Sequence, residues 1–147
     1  MYKEVMQFNK ERNQLDWNFD NELLMLREEI REFWDAETVA QRMDALVDTE
    51  FVWIGTQMKA SYAVFHLPDE LVNSIRQSLG VMGEVVSEEL GKDMAMCYHN
   101  ARKIVCECNA MKGKELDDDG KVIKGKIRDA TKEIALMIES VTAPKSY

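Results

Sequence analysis

Two prolines, Pro68 and Pro144, are all that the 147-residue chain contains, and alternating β-branched runs are scarce. Few helix breakers and few strand patterns predict an all-α fold. An excess of basic residues is also missing. The net charge of −8 argues against a nucleic-acid polymer as partner, because such proteins present a basic face that displaces counterions from phosphates. No segment approaches the roughly 20 uninterrupted apolar residues of a membrane span. The start, MYKEVMQFNKERNQ, alternates charge and apolarity without an apolar run of signal-peptide length. No membrane partner and a cytoplasmic location are therefore expected. Neither a P-loop, nor G-x-G-x-x-G, nor a nucleophile elbow is present, so those routes to phosphate binding or acyl transfer are closed.

Cysteine is sparse and odd in number. Cys97, Cys106 and Cys108 form no C-x-x-C pair, and the H-x-E with P-C-x-x-C signature of zinc deaminases is lacking, so a zinc site built from Cys97, Cys106 and His99 is rejected. Reduced, packed thiols are the expectation. His66, beside Leu67 and Pro68, reads as a loop or helix-end residue.

Apolar residues make up 46% of the chain and charged ones 31%, a composition able to build a packed core. A single domain over residues 1–147 is expected. The pattern predicts a frayed or partly helical start, then helices over about Asn21 to Ala36 and Thr38 to Ser61, and a third after Pro68 with Asp69 near its N-terminus. Gly80, Gly83 and Gly91 are expected to break or bend the third. A fourth helix should run from about Lys92 to Met111, and a last from about Arg128 to Val141. Between these lies KGKELDDDGKVIKGK, whose Asp-Gly step reads as a turn or two-strand hairpin. An EF-hand with Glu115, Asp117, Asp119 and Gly120 in the loop would need a bidentate glutamate where Lys126 stands, which excludes it.

What is abundant is acid on apolar helices. On the first long helix, Leu23, Leu26, Ile30, Phe33 and Trp34 share one arc of roughly 100°, given about 100° per residue. Glu28, Glu29 and Glu32 occupy the neighbouring arc, with Glu29 at the edge of the apolar stripe. The second long helix is apolar almost all round, with Val39, Met43, Leu46, Val47, Phe51, Val52, Trp53, Ile54 and Met58. Asp44 and Asp48 lie one turn apart on a strip with Glu37 and Gly55. Carboxylates buried so close repel, and protonation, a cationic partner or a metal relieves them. A hard cation fits best, since acids from two facing helices suit Mg²⁺ or Mn²⁺. Glu50 sits on an apolar flank near Met43, Leu46 and Ile54, where a base at an oligomer interface would be its partner.

These residues resemble the all-α NTP pyrophosphohydrolases, the MazG-like group related to dimeric dUTPases and phosphoribosyl-ATP pyrophosphohydrolase. The family signature is E-E-x-x-E, a spacer, then E-x-x-D on two helices. Glu28, Glu29 and Glu32 match its first part. D-A-L-V-D departs from the second, offering Asp44 and Asp48 at a spacing of four in place of three; both spacings keep the acids on one helix face. FDNELLMLREEIREFWDA and DALVDTEFVWIGT are similar to phage-encoded members, as is CNAMKGKELDDDGKVIKGK to their S-N-x-x-K and D-G-K-V-x-K-G segments. About two thirds of the chain takes part; residues 72–91 have no counterpart.

The resemblance implies a helical bundle that hydrolyses a nucleoside triphosphate between the α- and β-phosphates, in the host cytoplasm if phage-encoded. It implies Glu29, Glu32, Asp44 and Asp48 as ligands of Mg²⁺, with Mn²⁺ as substitute, and the trio Glu28, Glu29 and Glu32 as catalytic, Glu28 handling the attacking water. Asn109, Lys112, Lys121 and Lys124 are implied to hold the nucleotide; a solvated hairpin is the equal alternative for the lysines. A homodimer or homotetramer is expected, both from the family and because the second long helix is apolar on so many sides. The base is open: dUTP, other dNTPs, damaged nucleotides or a guanosine alarmone. Two rivals stand beside this reading. One is a non-enzymatic helical interaction protein with a solvated acidic face. The other, a di-iron carboxylate bundle, needs E-x-x-H pairs, and Ala63 and Met96 stand where its glutamates would be.

Overall fold

The structure, a computed structural model, describes residues 1–12, 16–112 and 128–144. It is all-helical, and among the described residues no strand occurs. Among the described residues six α-helices follow in order: α1 (Tyr2–Glu11), α2 (Phe19–Asp35), α3 (Val39–Tyr62), α4 (Asp69–Leu90), α5 (Met94–Met111) and α6 (Ala130–Thr142). A single 3₁₀ turn, Gly91–Asp93, joins α4 to α5. The expected hairpin at KGKELDDDGKVIKGK lies, but for Lys112, outside the described residues.

Local chemistry sets the helix ends. Asn18 caps α2 by accepting from the Asn21 amide at 3.1 Å. Thr38 and Gln41 form a reciprocal capping box at the start of α3, each side chain serving the other's backbone amide at 3.1 Å. The start, expected to be frayed or partly helical, forms the helix α1, because Val5 and Phe8 pack onto Phe51 and Met58 of α3. Gly80 and Gly83, expected to break or bend α4, leave it unbroken. Each costs only about 1 kcal/mol of propensity, and the burial of Ile75, Met82, Val86 and Leu90 outweighs it. Gly91 does end the helix, at φ +54°.

α3 is the hub. Three apolar clusters all run through it: Met43, Leu46 and Val47 join α2, α4, α5 and α6; Phe51 and Met58 join α1; Trp53 joins Leu26 of α2 and Ile75 of α4. Its nearly continuous apolar circumference is thus covered within one chain, which removes that feature as an argument for an oligomer. Trp34, expected in the core, is 55% exposed. Phe33 takes the buried position and Trp34 packs edge-on against it, with ring centroids 5.0 Å apart. Among the described residues no helix is long and apolar enough to cross a membrane.

Candidate functional site: a carboxylate cluster between two helices

α2 and α3 are joined by Ala36, Glu37 and Thr38, and they fold back on each other in antiparallel register. The register is legible in the pairs: Phe33 clusters with Ala40 and Met43, while Glu22, about three turns before Phe33, meets the far end of α3. There Glu22 accepts from the Thr56 hydroxyl at 2.7 Å and from Lys59 Nζ at 2.5 Å, with Glu22 and Lys59 only 3% and 6% exposed. This ion pair, which sequence reasoning missed, pins the two helices. It leaves Glu29 and Glu32 opposite Asp48 and Asp44.

The electrostatics of that meeting are unfavourable to charge. Burial pushes the Glu29 carboxyl up to about 8, aided by the charges of Asp48 and Glu32, a hydrogen bond to Glu32 and the charge of Asp44. Asp48 is pushed up to about 7, first by burial and then by Asp44. Burial also raises Asp44, against a hydrogen bond from Thr131 and the charge of Lys112. Glu29 Oε2 and Asp44 Oδ1 are out of water without any hydrogen-bond partner. Orphaned carboxylate oxygens on facing helices cost free energy unless a cation or a proton answers them.

Two clefts open onto the cluster and share Asp44 and Thr131. One, of about 510 Å³, is walled by Arg31, Glu32, Asp35, Glu37 and Gln41. The other, of about 360 Å³, is walled by Asp48, Asn109, Lys112, Arg128 and Asp129. The C-terminus of α5 and the first turn of α6 therefore complete the site. Arg12 fixes the end of α5 by donating to the carbonyls of Asn109 (2.8 Å) and Lys112. Arg128 fixes the start of α6 through Glu133 (2.5 and 3.0 Å) and Glu107 (3.0 Å). Asp129 caps α6 by accepting from the Lys132 amide at 3.1 Å.

Of the residues expected at the site, Glu29, Glu32, Asp44, Asp48, Asn109 and Lys112 come together. Glu28 is exposed, and neither Glu28 nor Glu29 lines either cleft. Lys121 and Lys124 lie outside the described residues. Among the described residues, no three acid, histidine or cysteine side chains close around a common point in the way a metal's ligands do. Glu37 precedes α3 and lines the larger cleft, whereas Gly55 faces α1, where a Cβ would stand 3.3 Å from Asn9 Nδ2. Comparison with protein-family models, with curated proteins and with solved structures finds no significant match. The functional reading therefore rests on the residues themselves.

Thr131, Arg128, Asp129 and Arg12 escaped sequence reasoning. Asp129 three residues before Lys132 does signal a helix start, but no spacing announces that Thr131 meets Asp44, 87 residues away. Glu50 finds a partner inside the chain, its Oε2 accepting from the Tyr98 hydroxyl, while Oε1 has none. Burial raises its pKa. The three cysteines are free, and burial pushes Cys108 up to about 11, as packed, inert thiols require. His66 stands exposed in the α3–α4 connection.

Proposed function

We propose that the chain is a metal-dependent nucleoside triphosphate pyrophosphohydrolase of the all-α, MazG-like kind, cleaving (d)NTP to (d)NMP and pyrophosphate in a nucleotide-pool or house-cleaning role. One observation carries this reading: Glu29 Oε2 and Asp44 Oδ1 are buried without partners on facing helices, with Glu32 and Asp48 beside them. A hard divalent cation fits such a donor set, since its charge relieves the repulsion that otherwise drives Glu29 and Asp48 to bind protons. Glu29, Glu32, Asp44 and Asp48 would hold Mg²⁺, or Mn²⁺ in its place, after rotation of the glutamate side chains. An ion held by these residues would supply charge neutralisation of the triphosphate and of the α–β bridge being broken.

The chain's own groups supply the rest. Lys112, whose charge already reaches Asp44 and Asp48, meets the phosphates together with Asn109. Lys121 and Lys124 join them on the strength of the resemblance. The attacking water gives its proton to a carboxylate of the trio Glu28, Glu29 and Glu32, and Glu28 is assigned this role because it is not needed as a ligand. A homodimer or homotetramer belongs to the same resemblance.

A panel of NTPs and dNTPs with Mg²⁺, scored for pyrophosphate against orthophosphate, tests the reading. Metal-dependent release of pyrophosphate and monophosphate from at least one substrate is expected. Orthophosphate release, or no Mg²⁺-dependent turnover across the panel, would sink it. The absence of three converging acids among the described residues favours one second reading, a non-enzymatic helical interaction protein. That protein would gain no thermal stability from millimolar Mg²⁺ or Mn²⁺.

A further inference from the structure

Among the described residues, Asp44 is the one acid of the cluster that receives a side-chain hydrogen bond from outside the α2–α3 pair. Thr131, in the first turn of α6, donates its hydroxyl to Asp44 Oδ2 at 3.0 Å. The other oxygen, Oδ1, is buried and unpartnered. The donor is itself held in place. Arg128, three residues earlier, is gripped by Glu133 and Glu107, and the Asp129 cap sets the first turn of α6 on which Thr131 rides. Ile134 and Ile138 bury the same helix against the core. Both clefts are lined by Thr131 and Asp44.

We propose that Thr131 is a positioning residue for the acid site: its hydroxyl occupies Asp44 Oδ2 and leaves Oδ1 as the single oxygen that Asp44 offers a divalent cation. This rests on the function proposed above. A carboxylate free to spin can chelate with both oxygens or turn away toward Lys112. One tied at Oδ2 has its remaining lone pairs aimed in a fixed direction, so less rotational freedom is lost when an ion arrives. The methyl group of threonine cannot do this, and neither can valine, which has the same outline without the donor.

The test is Mn²⁺ titration of the full chain without nucleotide, following the free-ion electron paramagnetic resonance signal. Asp44→Asn, Thr131→Val, Thr131→Ser and Thr142→Val are compared with the wild type. Thr142 lies on the same helix and donates its hydroxyl to the Ile138 carbonyl at 2.7 Å. Thr131→Val should weaken Mn²⁺ binding by about 10- to 100-fold, the usual effect of removing a group that orients a metal ligand. Thr131→Ser should restore it, and Thr142→Val should leave it unchanged. With a hydrolysed nucleotide, Thr131→Val should need more Mg²⁺ yet reach near-normal kcat at saturation, with the nucleotide KM unmoved. Wild-type affinity in Thr131→Val, or equal weakening in the Val and Ser variants, overturns the positioning role and leaves the metal reading intact. A wild-type chain that binds no Mn²⁺, indistinguishable from Asp44→Asn, overturns the proposed function and this inference with it.

Discussion

At the scale of single residues, the molecule holds two kinds of buried acid, and their surroundings separate them. Glu22 is answered by Lys59 and Thr56, so it is part of the frame. Removing either partner alone, as in Glu22→Gln or Lys59→Met, strands a buried group and should cost about 3–5 kcal/mol in urea unfolding, while the apolar pair Glu22→Leu with Lys59→Met should come out near neutral. Glu29 and Asp48 are answered by nothing of opposite charge on α2 or α3. Their carboxyls sit at about 8 and 7, above ordinary values of 4.5 and 3.8. Both bind a proton more tightly folded than unfolded, so their contribution to stability is full below about pH 4 and disappears as pH rises through 7 and 8. The metal-free chain should therefore lose Tm across that upper window, Glu29→Gln should flatten the loss, and Mg²⁺ should offset it by binding the folded state. Scanning calorimetry from acid to mildly alkaline pH reads all three. Glu29→Gln and Glu32→Gln should each abolish turnover with the fold intact; near-normal activity in both would remove the trio from the chemistry.

At the scale of elements, the α2–α3 hairpin carries the acids, and its far end contains a strained position. Val64 follows α3 with φ 55°, stacks no side chain into the core and is 93% exposed. The helix closes there through the Phe65 amide to the Ala60 carbonyl at 2.8 Å, a termination that suits glycine. A β-branched residue in the left-handed region costs about 1–2 kcal/mol. Val64→Gly should accordingly stabilise the chain by about 1 kcal/mol, less the entropy that glycine gives the unfolded state, and a chemical denaturation midpoint measures it. The two remaining elements of the site are tied by arginines: Arg12 holds the end of α5, Arg128 the start of α6, and Arg42 braces α3 to α4 through paired bonds to Glu89 of 2.5 and 2.7 Å.

At the scale of the whole molecule, α3 is enclosed by the other five helices, so any association would use other surfaces. Sedimentation at micromolar concentration should still give a dimer or tetramer if the resemblance holds, and a monomer would count directly against it. The lysines beyond α5 are the other whole-chain question. If the proposed function holds, Ala at both Lys121 and Lys124 should raise KM for the nucleotide while Mn²⁺ affinity measured without nucleotide stays put, because on that reading the lysines act on substrate charge and the carboxylates on the ion. Unchanged kinetics would leave the acids, Asn109 and Lys112 as the whole site.

Helical periodicity alone determined much of this protein: α2, α3, α5 and α6 to within two residues at each end, the start of α4, the burial of α3, and the presence of Glu29, Asp44 and Asp48 on faces that avoid open solvent. Those are consequences of repeat and polarity within a short window, and they survive any packing arrangement. Tertiary structure decided what lies across the chain. Trp34 turned outward because Phe33 already filled the space, and α4 ran through two glycines because its apolar face was buried. Glu22 became frame rather than site because Lys59 came round to meet it, and Thr131 reached Asp44 only through the docking of α6. Contacts between residues tens of positions apart depend on helix register and crossing, which the spacing of residues along one helix does not encode.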